Sequence, residues 1–175
     1  MSIHFCYLSK MIRAVNIEDA QKIAEIYNYY VLNSCVTFEE LALSTEEMRG
    51  RIEATHLKFP WLVFEKDNKI LGYAYASSWK PRSAYKHTVE STVYLNKDAT
   101  KNGIGSLLYA ALIEQLTDLG FHAVIGGISL PNDASIALHE KFGFEKIAQF
   151  KEVGYKFNKW IDVGYWELLI NKKSI

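Results

Sequence analysis

Apolar positions recur along this chain with two periods, and the switches between them divide it into elements. "IRAV" is a short strand candidate. Over "NIEDAQKIAEIYNYYVLN", Ile23, Ile26, Tyr27 and Tyr30 then fall at helical spacing behind Asn16, a capping residue type, with acids in the first turn. "STEEMRGRIEATHLKF" predicts a second helix that stops before Pro60, with Ser44 and Glu47 at the spacing of a capping box. Alternation follows: "WLVFEKDNKILGYAYAS" reads as two strands about a "KDNK" turn, and "HTVESTVYL" as another strand. A glycine turn leads into a helix over about 105–119, and "HAVIGGISL" is a strand. "PNDASIALHEKFGF" is a capped helix ended by Gly143, with Leu138 and Phe142 as expected core. "EKIAQF" and "WIDVGYWELLI" are closing strands. Strand, two helices, a run of strands and then alternation predict one mixed α/β domain.

At 175 residues the chain suits one well-cored domain. Lys plus Arg and Asp plus Glu both total 20, so there is no basic field to favour nucleic acid. Cys6 and Cys35 have neither metal spacing nor a disulfide-rich context, and His4, His56, His87, His122 and His139 are scattered, so no metal site is expected. The opening "MSIHFCYLSK" lacks a signal-peptide pattern, and no segment has the apolar length to cross a bilayer. A soluble cytoplasmic protein is expected. Met11 offers an alternative start, which makes residues 1–10 a possible extension before a domain over 11–170 and a tail over 171–175.

"TKNGIGSLLYAAL" places Gly103 and Gly105 directly before a helix, where unpaired backbone N–H groups and the helix dipole favour an anion. The third glycine of a dinucleotide fingerprint is missing, since Leu108 stands there, and no Walker Gly-Lys-Ser/Thr occurs. A tight strand-to-helix turn with no ligand explains the pair equally well on its own.

The turn gains meaning from its company. "IAEIYNYYV", "PWLVFE", "GYAYASSWKPRSAY", "ESTVYL", "NGIGSLLY", "SLPNDASIALHEKFGF" and "GYKFNKWIDVGYW", in this order, resemble the GNAT family of N-acetyltransferases, and within it the phosphinothricin and L-amino acid acetyltransferase branch. The resemblance implies a single-domain α/β fold with a mixed, mostly antiparallel central sheet flanked by helices, acetyl-CoA as cosubstrate, and a homodimer. It implies that Val93, Tyr94 and Leu95 face the pantetheine arm. It likewise implies that Lys101, Asn102, Gly103, Ile104, Gly105 and Ser106 hold the pyrophosphate, with Asn132 and Ser135 as further cofactor contacts. Where the family carries Arg or Gln this chain has Thr100, leaving backbone amides and Lys101 for that contact. Asn132 serves equally well as a helix cap.

Acetyl transfer to an amine needs a neutral amine, a polarised thioester and a protonated leaving thiolate. Strand alternation puts Thr88, Glu90, Thr92 and Tyr94 on one face, and the resemblance gives Glu90 a catalytic role as base. His139 shares a helix stripe with Asn132 and Ser135, and its imidazole suits acid or base work. Which proton each handles stays open. Arg82 and Lys80 in "WKPRSAY" suit an acidic small molecule, with Trp79 and Tyr85 as walls, Phe38 as the opposite wall, and Ser83, Ser91 and Thr92 beside them. The acceptor class is a small amino acid or analogue of the phosphinothricin, methionine sulfone or methionine sulfoximine type. Alternatives are a protein N-terminus, a polyamine, an aminoglycoside, or a coenzyme A-binding module without catalysis.

Overall fold

The computed structural model describes residues 11–100 and 102–171. The expected extension over residues 1–10, Lys101 of the glycine turn and residues 172–175 of the expected tail lie outside the described residues. Strand β1 is Ile12–Ala14, and helix α1 is Ala20–Asn33. Asn16 opens a single 3-10 turn, Ile17–Asp19, and α1 continues from it. The cause is Asp19. Its carboxylate accepts from the Asn16 N–H at 2.7 Å and is gripped by both terminal nitrogens of Arg13 at 2.7 and 2.9 Å. Helix α2, Thr45–His56, carries the expected capping box, with Ser44 Oγ accepting from the Glu47 N–H and the Glu47 carboxylate from the Ser44 N–H.

Strands β2, Trp61–Lys66, and β3, Lys69–Ser78, meet through Asp67 and Asn68, both at positive φ as a tight hairpin turn requires. Then come β4, Thr88–Leu95; helix α3, Ile104–Asp118; β5, Ala123–Ser129; helix α4, Asp133–Lys141; β6, Glu145–Lys156; and β7, Lys159–Leu169. The seven strands form one sheet in the order β1-β2-β3-β4-β5-β7-β6. β4 and β5 run parallel, while β1–β2, β2–β3, β5–β7 and β6–β7 are antiparallel. The sheet is mixed and mostly antiparallel, as expected.

Contacts divide the chain into two compact units. Among the described residues, one holds 11–27, Leu43–Ala76 and Thr92–Leu116; the other holds Asn28–Ala42, Ser77–Ser91 and 117–171. In the first, Trp61, Leu62, Val63 and Phe64 of β2 are all buried, so both faces of that strand are covered. Ile23, Ile52, Leu108, Leu112 and Leu116 complete its core. A Cβ at Gly72 would lie 2.5 Å from Leu95 Cδ2 and 2.9 Å from the Tyr94 carbonyl oxygen, so a bare residue lets β3 close on β4.

In the second unit β6 runs well past "EKIAQF", to Lys156, and turns into β7 through Phe157 and Asn158, both at positive φ. Register shifts at Lys146–Ala148 and Phe150–Gly154 interrupt its alternation, which hides the strand from a period-two reading. Burial also differs from expectation on α4. Leu138 and Phe142 are only half-buried, and the side chain the helix buries is His139. Among the described residues no helix is long and apolar enough to cross a membrane.

Candidate active site

β5 carries adjacent glycines, and successive strand residues face opposite sides of a sheet. Each is bare for its own reason. A Cβ at Gly126 would lie 2.3 Å from Nε2 of His139; one at Gly127 would lie 3.1 Å from Oε1 of Glu90 and 3.3 Å from Cε1 of Tyr165. The register agrees: Glu90 pairs with Ile125, two residues from Gly127, while Tyr165 stands opposite Gly127 and Trp166 opposite Gly126. Glu90 and Tyr165 therefore share one face, and His139 and Trp166 the other. The structure does not bring Glu90 and His139 together.

Glu90 is half-buried on a face walled by aromatic rings. Tyr165 meets Trp79 edge-to-face at 5.5 Å and Phe150 at 5.6 Å between centroids, and Lys80 Nζ sits 4.5 Å from the Trp79 ring centre. Burial raises the Glu90 pKa, and the positive charge of Lys80 opposes that rise in part. Among the described residues no hydrogen bond reaches the carboxylate. A desolvated carboxylate with unused acceptor capacity is a proton acceptor in search of a donor. The same burial, with the nearby Glu90 charge, raises the Tyr165 phenol.

His139 differs in every respect. Its ring is 4% exposed, meets Phe144 edge-on, and places Nδ1 2.8 Å from the Ser135 carbonyl oxygen. A carbonyl accepts only, so Nδ1 carries the proton and Nε2 holds the lone pair. That Nε2 is buried against Gly126. Burial lowers the His139 pKa, which keeps the ring neutral. The stripe Asn132–Ser135–His139 is real, but Asn132 Oδ1 caps α4 by accepting from the Ser135 N–H at 3.1 Å.

Of the expected acceptor-side residues, Trp79 and Lys80 lie beside Glu90's face, whereas Arg82, Ser83 and Tyr85 form an exposed turn. Ser91 points to the opposite face from Glu90, buried, with Oγ donating to the Ile125 carbonyl at 3.3 Å. Phe38 lies in the loop after α1, seated on Gly154 of β6. In the other unit Thr92 is half-buried, Tyr94 packs at 5.6 Å on Tyr73 and 5.2 Å on Tyr27, and Leu95 lies over Gly72. Val93 is half-buried between them in sequence. Asn102 and Gly103 are exposed, Ile104 and Gly105 buried and Ser106 half-buried; Gly103 takes φ 77° with open space around its missing Cβ. The Leu107 N–H bonds back to the Gly103 carbonyl, and among the described residues the amides of Ile104 and Gly105 precede the helix's own ladder.

A profile described as the acetyltransferase (GNAT) domain matches residues 12–164. The chain belongs to the GNAT acetyltransferase family. It is 38% identical to the phosphinothricin N-acetyltransferase of Streptomyces viridochromogenes, over 89% of this chain and 85% of that one. It is 33% identical to the L-methionine sulfoximine/L-methionine sulfone acetyltransferase of Salmonella typhimurium, over 93% of this chain and 96% of that one. The crystal structure of a phosphinothricin acetyltransferase from Sinorhizobium meliloti in complex with acetyl-CoA superposes with a TM-score of 0.88 at 35% identity, covering 90% of this chain and 86% of that one.

Tyr165 and Phe150 of this GNAT acetyltransferase escaped the sequence reading. Tyr165 alternates with buried Trp166 on β7, and only the β4–β5 and β5–β7 registers put Tyr165 on the side of the sheet that Glu90 occupies from β4. Phe150 sits at a register shift of β6, where alternation fails.

Proposed function

We propose that this acetyltransferase transfers acetyl from acetyl-CoA to the α-amino group of a small amino acid or analogue of the phosphinothricin or methionine sulfone type, with Glu90 accepting the amine proton. The carrying observation is the Glu90 carboxylate, desolvated, without a hydrogen-bond donor among the described residues, and given room by Gly127. An α-amine has an ordinary pKa near about 8 and a Glu near about 4.3, so a raised carboxylate narrows the gap for proton transfer, directly or through one water. Tyr165, with Trp79 and Phe150 packed edge-to-face on its ring, lines the face on which the carboxylate is partly desolvated. Lys80 and Arg82 supply cations for a substrate carboxylate, Arg82 with a geometry suited to two parallel hydrogen bonds.

Acetyl-CoA supplies the activated acyl group. The turn at Asn102–Ser106 fits its pyrophosphate: Gly103 leaves open space, and the turn opens a 15-residue helix whose N-terminal dipole end favours an anion. Backbone groups of Val93–Leu95 suit the pantetheine arm. His139 packs neutral behind β5 and holds α4 against Gly126; on this reading it donates no proton to the thiolate. Dependence on a coenzyme of the cell interior supports a cytoplasmic site of action. Exposed Tyr155, Phe157 and Trp160 around the β6–β7 turn support a homodimer.

The test is free-thiol release from acetyl-CoA with phosphinothricin, methionine sulfone, common amino acids, a polyamine and an aminoglycoside. Release with α-amino acids is expected. Release with the polyamine or aminoglycoside alone overturns the acceptor, and acetyl-CoA binding without any release overturns the activity.

A further inference from the structure

Lys156 is 2% exposed, yet it stands two residues from Gly154 near the end of an otherwise exposed strand segment, between Tyr155 and Phe157. A lysine is rarely buried without a task. Its Nζ donates to the Thr37 carbonyl at 2.8 Å, across 119 residues of sequence. Gly154 has a matching reason to be bare: a Cβ there would lie 2.1 Å from Cε1 of Phe38. Two alternate residues of β6 thus hold two successive residues of one loop, Thr37 and Phe38, between α1 and α2.

The register fixes which face this clasp occupies. Gly154 pairs with Ile161 and Lys156 with Lys159 on β7, and Ile161 and Lys159 share the parity of Tyr165. Tyr165 lies on the face of Glu90. Phe38, 41% exposed, is therefore laid over the same face of the sheet, on the strand whose Phe150 meets Tyr165. Burial lowers the Lys156 pKa, and the carboxylates of Glu40 and Glu39 in the same loop oppose part of that fall.

We propose that Lys156 is a positioning residue for acceptor recognition: with Gly154 it clasps the Thr37–Phe38 loop, setting the Phe38 ring as a wall of the acceptor pocket. The proposal rests on the acetyltransferase reading above. It names a residue that acts through the Phe38 ring, sets acceptor affinity and leaves the transfer step alone.

Two variants act on the clasp from different sides. Lys156→Met keeps the volume and removes the donor; Gly154→Ala leaves Lys156 intact and pushes the Phe38 ring, whose exposed edge lets it move without unfolding the strand. Each is expected to raise the acceptor KM about tenfold, with kcat within about twofold and acetyl-CoA KM unchanged. Neither is expected to add to the effect of Phe38→Ala, since all three remove the same wall. Equal loss of kcat and kcat/KM, or additivity with Phe38→Ala, overturns the proposal. Hydrogen exchange of residues 34–42 tests the clasp without turnover: faster exchange there in Lys156→Met, with α3 and β5 still protected, supports it. Unchanged exchange of the loop in Lys156→Met overturns it, whether or not the wild type acetylates amino acids.

Discussion

Substituting alanine at each of the two β5 glycines separates packing from chemistry within one dipeptide. At Gly126 the new methyl meets the His139 ring at 2.3 Å, and that ring cannot retreat: it is buried, bonded to the Ser135 carbonyl and backed by Phe144. Overpacking of this kind costs about 1–3 kcal/mol, and displacing the ring sacrifices a hydrogen bond worth about 1 kcal/mol more. Gly126→Ala should lose about 3 kcal/mol, which for a chain of this size lowers Tm by about 6–12 °C. Removing the ring should return most of that loss, so Gly126→Ala/His139→Ala should be more stable than the sum of the two single changes by about 2 kcal/mol. At Gly127 the methyl meets Glu90 Oε1 at 3.1 Å and the Tyr165 edge at 3.3 Å, contacts relieved by shifts of a few tenths of an ångström. Gly127→Ala should therefore fold almost as well as wild type while kcat/KM falls about tenfold or more, because the displaced group is the proton acceptor. Thermal unfolding and thiol-release kinetics on wild type, the three single variants and the double variant decide the matter. Equal destabilisation by both alanines, or no rescue of Gly126→Ala by His139→Ala, would refute the opposite-face arrangement.

Two further outcomes follow from the same geometry. Glu90→Gln should stabilise the protein at pH 7 by about 1 kcal/mol, or about 2–4 °C in Tm, because the folded state bears the cost of a desolvated charge. The sign follows from the raised pKa: the folded state holds the proton more tightly, so stability from this group is full below the unfolded value and lost as pH rises through the folded one. The advantage of Gln should vanish below about pH 4; a destabilised variant at every pH would contradict the account. Arg82→Met should raise the KM for carboxylate-bearing amines about tenfold and leave that for acetyl-CoA unchanged, as loss of a charge-assisted hydrogen bond would. A rise in both constants would place Arg82 elsewhere.

Most of the elements were legible because local chemistry decided them. Ser44 and Glu47 close their own capping box, Asp67–Asn68 supply positive φ for a hairpin, and Asn132 caps α4. Each of these motifs is complete within a few residues. What stayed hidden depends on which surfaces meet. The helical stripe placed His139 with polar Asn132 and Ser135, while its burial comes from a void that Gly126 opens on another element. Strand alternation put Glu90 on a definite side of β4, but only the β4–β5 and β5–β7 registers put Tyr165 on that side and His139 on the other. β6 was cut short because two register shifts break its period, and with it went Lys156, whose partner lies 119 residues away.

The most direct test of the central claim is the pH profile of kcat/KM for methionine sulfone in wild type and Glu90→Gln. Proton acceptance by Glu90 predicts an acid limb displaced above the ordinary carboxylate range of about 4 in the wild type, and activity reduced at least about a hundredfold in the variant with acetyl-CoA binding intact. A variant that keeps wild-type kcat/KM and the same acid limb would contradict it.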